Sequence, residues 1–559
     1  MQSYLTTTFL LLGQRAKLFE LTDNVISVFK VTLPDEEYKT LVEKCQYADP
    51  LLDTDWTNYN PEQDYEEFKA NSAKSEPFKT KNATLSVNIN GEEKSFNKVT
   101  FSLGGSSARS RGRQSFNLKI RGDKDLYGRS QFRLRSDSVE PTTIRSKLAC
   151  DMHNRLGLVS ISANYISLYI NDDYMGLYVL MDAPKVSWAK LAYNDENTTN
   201  MYKCKEALND LSVLNSSTGC INENDEITEN PEWIDFLTTL DNAQSAQDIE
   251  DIFDVDQFLY EIAYEYLAGS CDHYLFNGHN FNVYKVKGGK WTMISYDFDV
   301  DLGQNVHYVG IYPHSTNSTD YPSYSFDEWI SLKQHLIDIL ILKDRTRFES
   351  ILKQFVVKVF NPTILFPHID EIKNLIRSEK IREKTPDANG NIPGVINKKG
   401  NKDYSIEQWE ANSEFTTVSD NVMNTGYGLK YWILMKYRYV CKAYHIDCDP
   451  TYLDENYQYP IDKDVEAFFI VNDFSGFGDP NKTPDTIANV TEMTSSTIST
   501  AHSTITITST LTTTTTTTDR KATATTISSD DSDDDNEIEI DVDTSDIANE
   551  SNSDSEENN

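Results

Sequence analysis

The chain has 559 residues and a formal net charge of −36, from 52 basic and 88 acidic side chains. This balance argues against nucleic acid or an anionic membrane as the main partner, because both attract basic surfaces. The hydrophobic content of 38% is diluted by a polar C-terminus, so the chain before about position 450 is rich enough in apolar residues to bury a sizeable core.

The front half is predicted to be rich in sheet. VISVFKVTLPDEEY reads as a strand followed by the start of a helix, after a poorly defined N-terminus (1–24) that contains a possible degenerate signal segment. ATLSVNING, SFNKVTFSLGG, QSFNLKIRG and SQFRLRS alternate apolar and polar residues and predict an antiparallel sheet. TTIRSKLACDMHNRLGL has helical periodicity, and ANYISLYINDDYMGLYVLMD predicts a hairpin with its turn at NDD.

The back half is predicted to be helical. Residues 185–250 look like a polar insertion, and helices are expected from Asp254 onward, including about 363–384 and 405–446. Two short strands, FNVYKV and KWTMISY, interrupt this pattern. The order favours an α+β fold with two lobes and a ligand site between them.

The composition changes in the last part of the chain. Residues 449–489 form an extension, 490–529 are rich in Thr and Ser, and 530–559 hold fourteen acidic and no basic residues. The last two segments cannot bury enough apolar surface to fold, so we expect a disordered, glycosylated stalk and an acidic tail. Several N-x-S/T sequons favour secretion, and no segment is apolar enough to span a membrane.

Seven cysteines occur without zinc-binding spacing. Cys204 with Cys220, and Cys441 with Cys448, are candidate short-range disulfides, and the odd total leaves at least one thiol. Reduced, buried cysteines are the alternative.

An oxygen-rich loop follows a predicted helix end. Asp272 precedes Asn277 by five residues and Asn280 by eight, in CDHYLFNGHN. A kinase catalytic loop places a proton-accepting Asp five residues before a magnesium-binding Asn. The alternative is that Asp272 caps the loop and the asparagines occupy turns.

The sequence DFDVD supplies three carboxylates, Asp297, Asp299 and Asp301. In an extended strand they share one face, where like charges need a cation or hydrogen bonds to compensate them. The spacing excludes an EF-hand. An acidic turn and a D-x-D glycosyltransferase site remain alternatives to a kinase metal site.

A basic Gly/Ser-rich loop lies upstream, in GGSSARSRGRQSFNLKIRG. The backbone around Ser106 and Ser107 offers N–H groups to phosphates, and Lys119 on the following strand is within reach of a phosphate oxygen. The Walker pattern is absent, and a solvated basic edge strand is the alternative.

These segments together resemble the spore coat protein CotH family over residues 25–448, above all in DHYLFNGHNFNVYK and KWTMISYDFDVDLG. The resemblance implies an atypical protein kinase fold and Mg²⁺–ATP-dependent phosphorylation of secreted or coat proteins. It also implies a fungal-type member with a Thr-rich end, located outside the cell or on its surface.

The resemblance also implies roles for single residues. Asp272 resembles the catalytic aspartate, Asn280 or Asn277 the magnesium-binding asparagine, and Asp297 the main metal aspartate. Asp299 is a further candidate metal ligand from the carboxylate triplet itself. The candidate nucleotide-binding residues are Ser106, Ser107 and Lys119 from the loop and its following strand, and the resemblance adds Arg113 and Asp182. Asp182 stands where family members carry Glu and is expected to pair with Lys119, although its side chain is one methylene shorter. Arg113 stands where many members carry Lys, which differs from Arg in phosphate geometry.

The resulting interpretation is an atypical kinase that transfers the ATP γ-phosphate to Ser or Thr of secreted, cell-wall, coat or surface proteins, using Mg²⁺ or alternatively Mn²⁺. The other interpretation is a non-catalytic surface adhesion module on the same fold, which the stalk, the acidic tail and the altered Lys–Asp pair favour.

Overall fold

The computed structural model describes residues 15–46, 77–105, 107–205, 208–311, 318–330, 334–400, 403–420 and 424–468. The predicted stalk and acidic tail lie outside these residues. Within them the chain contains both strands and helices, which confirms the α+β class.

Seven strands of the front half form a closed barrel in the order β1-β2-β3-β4-β5-β7-β6. The predicted sheet is therefore present, but parallel pairing of β1 with β6 closes it, while the other neighbours are antiparallel. The predicted hairpin β6–β7 is confirmed, with a two-residue turn in which Asn171 has φ +55°. The barrel strands are β1 (Ser27–Thr32), β2 (Lys79–Ile89), β3 (Glu92–Gly104), β4 (Ser115–Ile120), β5 (Gln131–Arg135), β6 (Ala163–Ile170) and β7 (Asp173–Asp182).

A second, antiparallel sheet has the order β11-β10-β8-β9. Its hairpin β10–β11 was predicted, whereas β8 and β9 come from the segment that was expected to be a polar insertion. The strands are β8 (Met201–Cys204), β9 (Cys220–Asn222), β10 (Phe281–Lys285) and β11 (Trp291–Ser295). A third pair consists of β12 (Val418–Ser419) and β13 (Thr425–Gly426).

Helices dominate after residue 230. The predicted helix over 405–446 is wrong in its middle, where β12 and β13 separate α12 from α13. The helices are α1 (Lys17–Leu21), α2 (Asp35–Lys44), α3 (Arg145–Leu156), α4 (Val186–Tyr193), α5 (Val213–Gly219), α6 (Pro231–Asn242), α7 (Val255–Ala268), α8 (Phe326–Trp329), α9 (His335–Ile337), α10 (Thr346–Lys358), α11 (Pro362–Lys384), α12 (Ile406–Asn412), α13 (Leu429–Ala443) and α14 (Pro450–Leu453), with a π-helical turn at Asp338–Leu342 and 3₁₀ turns at Ser107–Ser110, Ala246–Asp248, Phe298–Val300, Val306–Ile311 and Tyr321–Ser323.

Buried apolar side chains form two clusters. One lies inside the barrel, and the other joins the helices to the second sheet. Both candidate disulfides are formed, Cys204–Cys220 and Cys441–Cys448, and the remaining three cysteines are buried thiols. Among the described residues, no helix combines the length and apolar content needed to cross a membrane.

Candidate active site

The loop that carries Asp272 is fixed by the end of α7. Gly269 ends this helix with φ +66°, and a Cβ there would lie 2.3 Å from the ring of Trp432. Glu265, buried in the last turn, accepts hydrogen bonds from the backbone N–H groups of Tyr274 (3.1 Å) and Leu275 (2.9 Å). Burial raises the pKa of Glu265 to about 8, against the opposing effect of these bonds. The loop therefore starts in one defined direction.

Asp272 is the centre of this loop. Asn277 Nδ2 donates to its Oδ1 (2.7 Å), and Asn280 Nδ2 donates to its Oδ2 (3.1 Å) and to its backbone oxygen (2.9 Å). His279 Nδ1 lies 3.4 Å from Oδ1. Burial would raise the pKa of Asp272, but His279 and the Asn277 hydrogen bond outweigh it and hold the pKa below its ordinary value. Asp272 is thus an ionised acceptor, and the two asparagines that the sequence predicted lie beside it.

The carboxylate triplet is placed differently from the prediction. Asp297 has φ +72°, and Phe298–Val300 form a 3₁₀ turn, so the segment is not extended and its carboxylates do not share one face. Asp301 instead points into the core, where Tyr264 Oη donates to its Oδ2 (2.7 Å) and His273 Nδ1 lies 3.5 Å from its Oδ1. Asp301 therefore belongs to the packing beneath the loop.

Asp297 and Asp299 meet a cation from the barrel. Arg135 Nη2 lies 2.7 Å from Asp297 Oδ1 and 2.7 Å from Asp299 Oδ2, and its Nε lies 3.4 Å from Asp137 Oδ1. Burial alone would raise the pKa of Asp297, but Arg135 and Arg133 lower it to about 2. Burial and the neighbouring carboxylates raise the pKa of Asp299 well above its ordinary value despite Arg135. The two carboxylates are therefore unequal, and Asp297 keeps its charge.

The strand pairing brings this turn to the loop. β10 and β11 pair Phe281 with Ser295, and the N–H of Tyr296 donates to the backbone oxygen of Asn280 (3.0 Å). Asp297 is the next residue after Tyr296, so the pairing of β11 with β10 brings it to the end of the Asp272 loop at Asn280.

A polar cleft lies on the outer face of the barrel. Directly opposed residues of antiparallel strands share a face, and Thr100, Lys119 and Gln131 are opposed across β3, β4 and β5. The same face carries Arg133, whose guanidinium lies 5.9 Å from the ring of Tyr296. The cleft is lined by Thr100, Ser102, Asn117, Leu118, Lys119, Gln131, Phe132, Arg133, Ala183 and Lys185. Lys119 is thus placed in a cleft, as a phosphate ligand requires.

The predicted pair of Lys119 with Asp182 is wrong. Asp182 is opposed to Phe132 and so lies on the inner face of the sheet, opposite to that of Lys119. Its carboxylate accepts from Arg129 Nε (2.6 Å) and from the backbone N–H of Ser162 (3.1 Å), fully buried. Burial raises the pKa of Asp182 against the effect of Arg129. Asp182 is a structural residue of the barrel.

The basic loop also differs from the prediction. Arg113 was expected to contact phosphates, but it is 1% exposed and its Nη1 lies 2.7 Å from Glu383 of α11. Its Nη2 donates to the backbone oxygen of Leu177 (2.9 Å), next to Gly176, where a Cβ would lie 2.3 Å from Nη2. Arg113 therefore joins the barrel to a helix. Ser107 begins the Ser107–Ser110 turn, and Ser106 lies outside the described residues.

Comparison with known proteins gives this arrangement a family. The family described as CotH kinase protein matches residues 101–416, more than half of the chain. The chain belongs to the CotH kinase protein family. The matched residues include the Asp272 loop, the Asp297 turn and every residue named for the cleft except Thr100, and they lie within the predicted 25–448 domain.

Curated relatives include fungal and bacterial proteins. The chain is 25% identical to Invasin CotH3 of Rhizopus delemar over 38% of each chain. It is 24% identical to Spore coat protein homolog 1 of the same organism over 57% of this chain and 52% of the relative. It is 21% identical to Inner spore coat protein H of Bacillus subtilis over 36% of this chain and 58% of the relative. The chain thus spans about two fifths to three fifths of the length of these relatives.

One solved structure also shows some likeness. The Helicobacter pylori proinflammatory kinase CtkA matches 47% of this chain and 90% of its own, with 12% identity and a TM-score of 0.21. This likeness is too slight to assign a fold.

Two cations near the candidate site were missed in the sequence. Arg133 and Arg135 alternate in SQFRLRS, and this alternation places them on the outer face with Gln131. The alternation in SQFRLRS predicts a strand with both arginines on one face. It does not show whether that face points towards the site.

The residues beside Asp272 and Asp297 fit a hard cation. Asp297 Oδ1 is buried and makes no hydrogen bond of good geometry, although Arg135 is close. The Nδ2 atom of Asn280 faces Asp272, which directs its amide oxygen away from that carboxylate. In the described part of the chain, no three His, Cys, Asp or Glu side chains form a metal-holding group. Mg²⁺ fits such a site, because it typically takes one or two carboxylates together with water and substrate phosphates.

Proposed function

We propose that this CotH family member is an atypical protein kinase that transfers the γ-phosphate of ATP to Ser or Thr of a secreted, coat or surface protein. The observation that carries the proposal is an ionised Asp272, held by two asparagine amides, in a loop that strand pairing joins to Asp297. Arg133 of the cationic cleft lies near Tyr296, the residue before Asp297. In this reading the barrel forms one lobe and the helical cluster the other, with the nucleotide between them.

Each charged group has a role that follows from its position. Lys119, Arg133 and Arg135 are the cations that would bind the phosphates of ATP, because all three lie on the outer face of the barrel and the two arginines act on Asp297. Asp297 and an asparagine amide oxygen would hold Mg²⁺, which supplies charge neutralisation to the phosphates.

Asp272 would orient the attacking hydroxyl. The hydroxyl oxygen of the substrate forms the new bond to the γ-phosphorus, the bond to the ADP oxygen breaks, and the proton passes to Asp272. The lowered pKa of Asp272 keeps it ionised at neutral pH, so it accepts a hydrogen bond from that hydroxyl. Asn277 and Asn280 fix the orientation of its carboxylate.

Two disulfides support a location outside the cytosol, because structural disulfides persist in oxidising compartments. The names of the relatives refer to spore coats and to invasins, which also supports a coat or surface location.

Transfer of labelled phosphate from ATP, with and without Mg²⁺ or Mn²⁺, tests the proposal. Asp272→Asn and Asp297→Asn should each reduce transfer to a protein acceptor by about 10²-fold or more, since each removes a group at the reacting atoms. Glu410→Gln, on the surface of α12, is the matched control and should retain activity. Equal transfer by all four proteins would refute the assignment.

The second candidate is a surface adhesion module without turnover. The names of two relatives, Invasin CotH3 and Invasin CotH2, favour it, although each match covers about two fifths of the relative. Calorimetry separates the two functions: an adhesion module that does not bind nucleotide gives no heat with Mg²⁺–ATP in a folded protein, whereas the kinase binds it.

A further inference from the structure

The Cys204–Cys220 disulfide lies next to the candidate site. Cys204 on β8 is directly opposed to Cys220 on β9, with a Cα–Cα distance of 4.1 Å. On its other side Cys204 is opposed to Phe281 of β10, the residue that follows Asn280. The disulfide is therefore one strand away from the end of the Asp272 loop.

The segment that leaves β8 binds the backbone of this loop. The N–H of Leu208 donates to the backbone oxygen of Asn277 (2.5 Å), and the N–H of Asn209 donates to that of Gly278 (3.0 Å). Gly278 has φ +57°, and a Cβ there would lie 2.4 Å from the backbone oxygen of Asn209. The backbone of residues 208–209 therefore contacts the Asp272 loop directly at Asn277, whose side-chain amide donates to Asp272, and at Gly278.

Gly219 and Cys220, which lead into β9, pack on Asn209. Asn209 is fully buried, and Cys220 Sγ lies 3.5 Å from its Oδ1; in a disulfide this sulfur has no hydrogen to donate, so the contact is packing. A Cβ on Gly219 would lie 2.2 Å from the same oxygen. Tyr274 Oη of the loop also donates to the backbone oxygen of Asp210 (3.0 Å). Residues 208–210 are thus held between the disulfide and the loop.

We propose that the Cys204–Cys220 disulfide is a positioning element of the site: it holds residues 208–210 against Asn277 and Gly278 and so fixes the amides that face Asp272. The inference rests on the proposed function for its catalytic meaning, but the mechanical link between disulfide and loop does not. Cys204 and Cys220 are 16 positions apart in the sequence, whereas Cys441 and Cys448, at the end of α13, are 7 positions apart.

The second disulfide provides the matched control. We compare the double variant Cys204→Ala/Cys220→Ala with Cys441→Ala/Cys448→Ala by hydrogen exchange and by calorimetry with Mg²⁺–ATP. In the first variant the amides of residues 208–209 and 277–280 should exchange at least about tenfold faster than in the wild type, because the local opening costs less. In the control these amides should exchange at the wild-type rate.

The metal-dependent part of nucleotide affinity separates positioning from mere stability. Mg²⁺–ATP affinity should fall about tenfold or more in the first variant, as is typical when supports of metal ligands are lost, while affinity for ATP without metal changes less than about twofold. Equal loss in both variants, or unchanged exchange at residues 277–280, overturns the proposal.

Gly219→Ala keeps the disulfide and decides the question if the cysteine variant does not fold. It should accelerate exchange at the same amides, because the added methyl displaces Asn209. Wild-type exchange rates in Gly219→Ala would then overturn the proposal. If the wild type itself does not bind Mg²⁺–ATP, the proposed function fails, and the exchange rates alone decide whether the disulfide fixes the loop.

Discussion

Glu383→Gln removes one charge from the buried pair that holds the basic loop to α11. Glu383 is fully buried, and its Oε2 lies 2.7 Å from Arg113 Nη1 and accepts from the N–H of Leu177 (2.9 Å). Lys380 Nζ lies 2.6 Å from the other carboxylate oxygen. Gln retains the shape and one acceptor but leaves Arg113 with the more distant carboxylate of Asp403, whose Oδ2 lies 4.0 Å from Nη1.

The magnitude follows from the pKa of Glu383. Burial raises this pKa, but Arg113, Lys380 and Lys384 outweigh burial and lower it from 4.5 to about 2. This difference corresponds to about 3 kcal/mol of stability, in line with the cost of breaking a buried ion pair. Because the folded-state pKa is depressed, the contribution is fully present above about pH 4.5 and is lost as the pH falls through about 2.

Urea unfolding of the wild type, Glu383→Gln and Glu410→Gln at pH 7 tests this value. Glu383→Gln should lose about 3 kcal/mol, and Glu410→Gln, a partly exposed ion-pair residue, less than about 1 kcal/mol. Between pH 4.5 and 3 the wild type should lose stability more steeply than Glu383→Gln, since the variant lacks this titrating group. A loss below 1 kcal/mol at pH 7, or identical pH slopes, would refute the structural role assigned to Arg113. Folded Glu383→Gln should bind Mg²⁺–ATP as the wild type does.

Three further predictions concern Lys119 in the cleft, Arg135 beside Asp297, and Glu265 beneath the Asp272 loop. Lys119→Ala should weaken Mg²⁺–ATP binding about tenfold in calorimetry with little change in melting temperature, because its ammonium lies on the outer face; a large fall in melting temperature with unchanged affinity would contradict this. Arg135→Gln removes the cation between Asp297 and Asp299, so the variant should melt lower, and Mg²⁺ should raise its melting temperature more than that of the wild type; an equal Mg²⁺ shift would contradict the ion-pair assignment. Glu265 has a folded-state pKa of about 8 against an ordinary 4.5, so its contribution to stability is present below pH 4.5 and is lost as the pH rises through about 8. Glu265→Gln should flatten the fall in melting temperature between these pH values, and an unchanged slope would contradict the prediction.

The parts of the site that lie close together in sequence could be predicted. Asp272, Asn277 and Asn280 span nine positions, so one loop brings them together. The β10–β11 hairpin then brings Asp297 beside the loop by strand pairing between neighbours in sequence. Short loops leave few alternative geometries, so the spacing predicted that these side chains lie close together, but it left open whether they cap the loop or bind a metal.

The parts that depend on distant partners could not be predicted. Arg113 and Glu383 are separated by 270 positions, and a basic loop that pairs with a helix has the same composition as one that binds phosphate. The error on Asp182 has another cause. Its strand was predicted, but the face on which Asp182 lies follows from its register with Phe132, and a shift of one residue exchanges the faces. Closure of the sheet required parallel pairing of β1 with β6, which no local pattern shows.

The ion pairs of the site also bear on how a kinase and an adhesion module can be told apart. Asp297 and Asp299 both contact Arg135, and Asp272 accepts hydrogen bonds from two amides, so the chain itself supplies a partner for each of these carboxylates. We therefore expect normal folding without metal or nucleotide, of an active and of an inactive protein alike. Melting temperature without ligand carries no information on turnover for this reason. Only the nucleotide-binding function predicts that Mg²⁺ and ATP together raise the melting temperature, or that Mg²⁺ changes the affinity for ATP. This effect should be abolished by Asp297→Asn but not by Glu410→Gln.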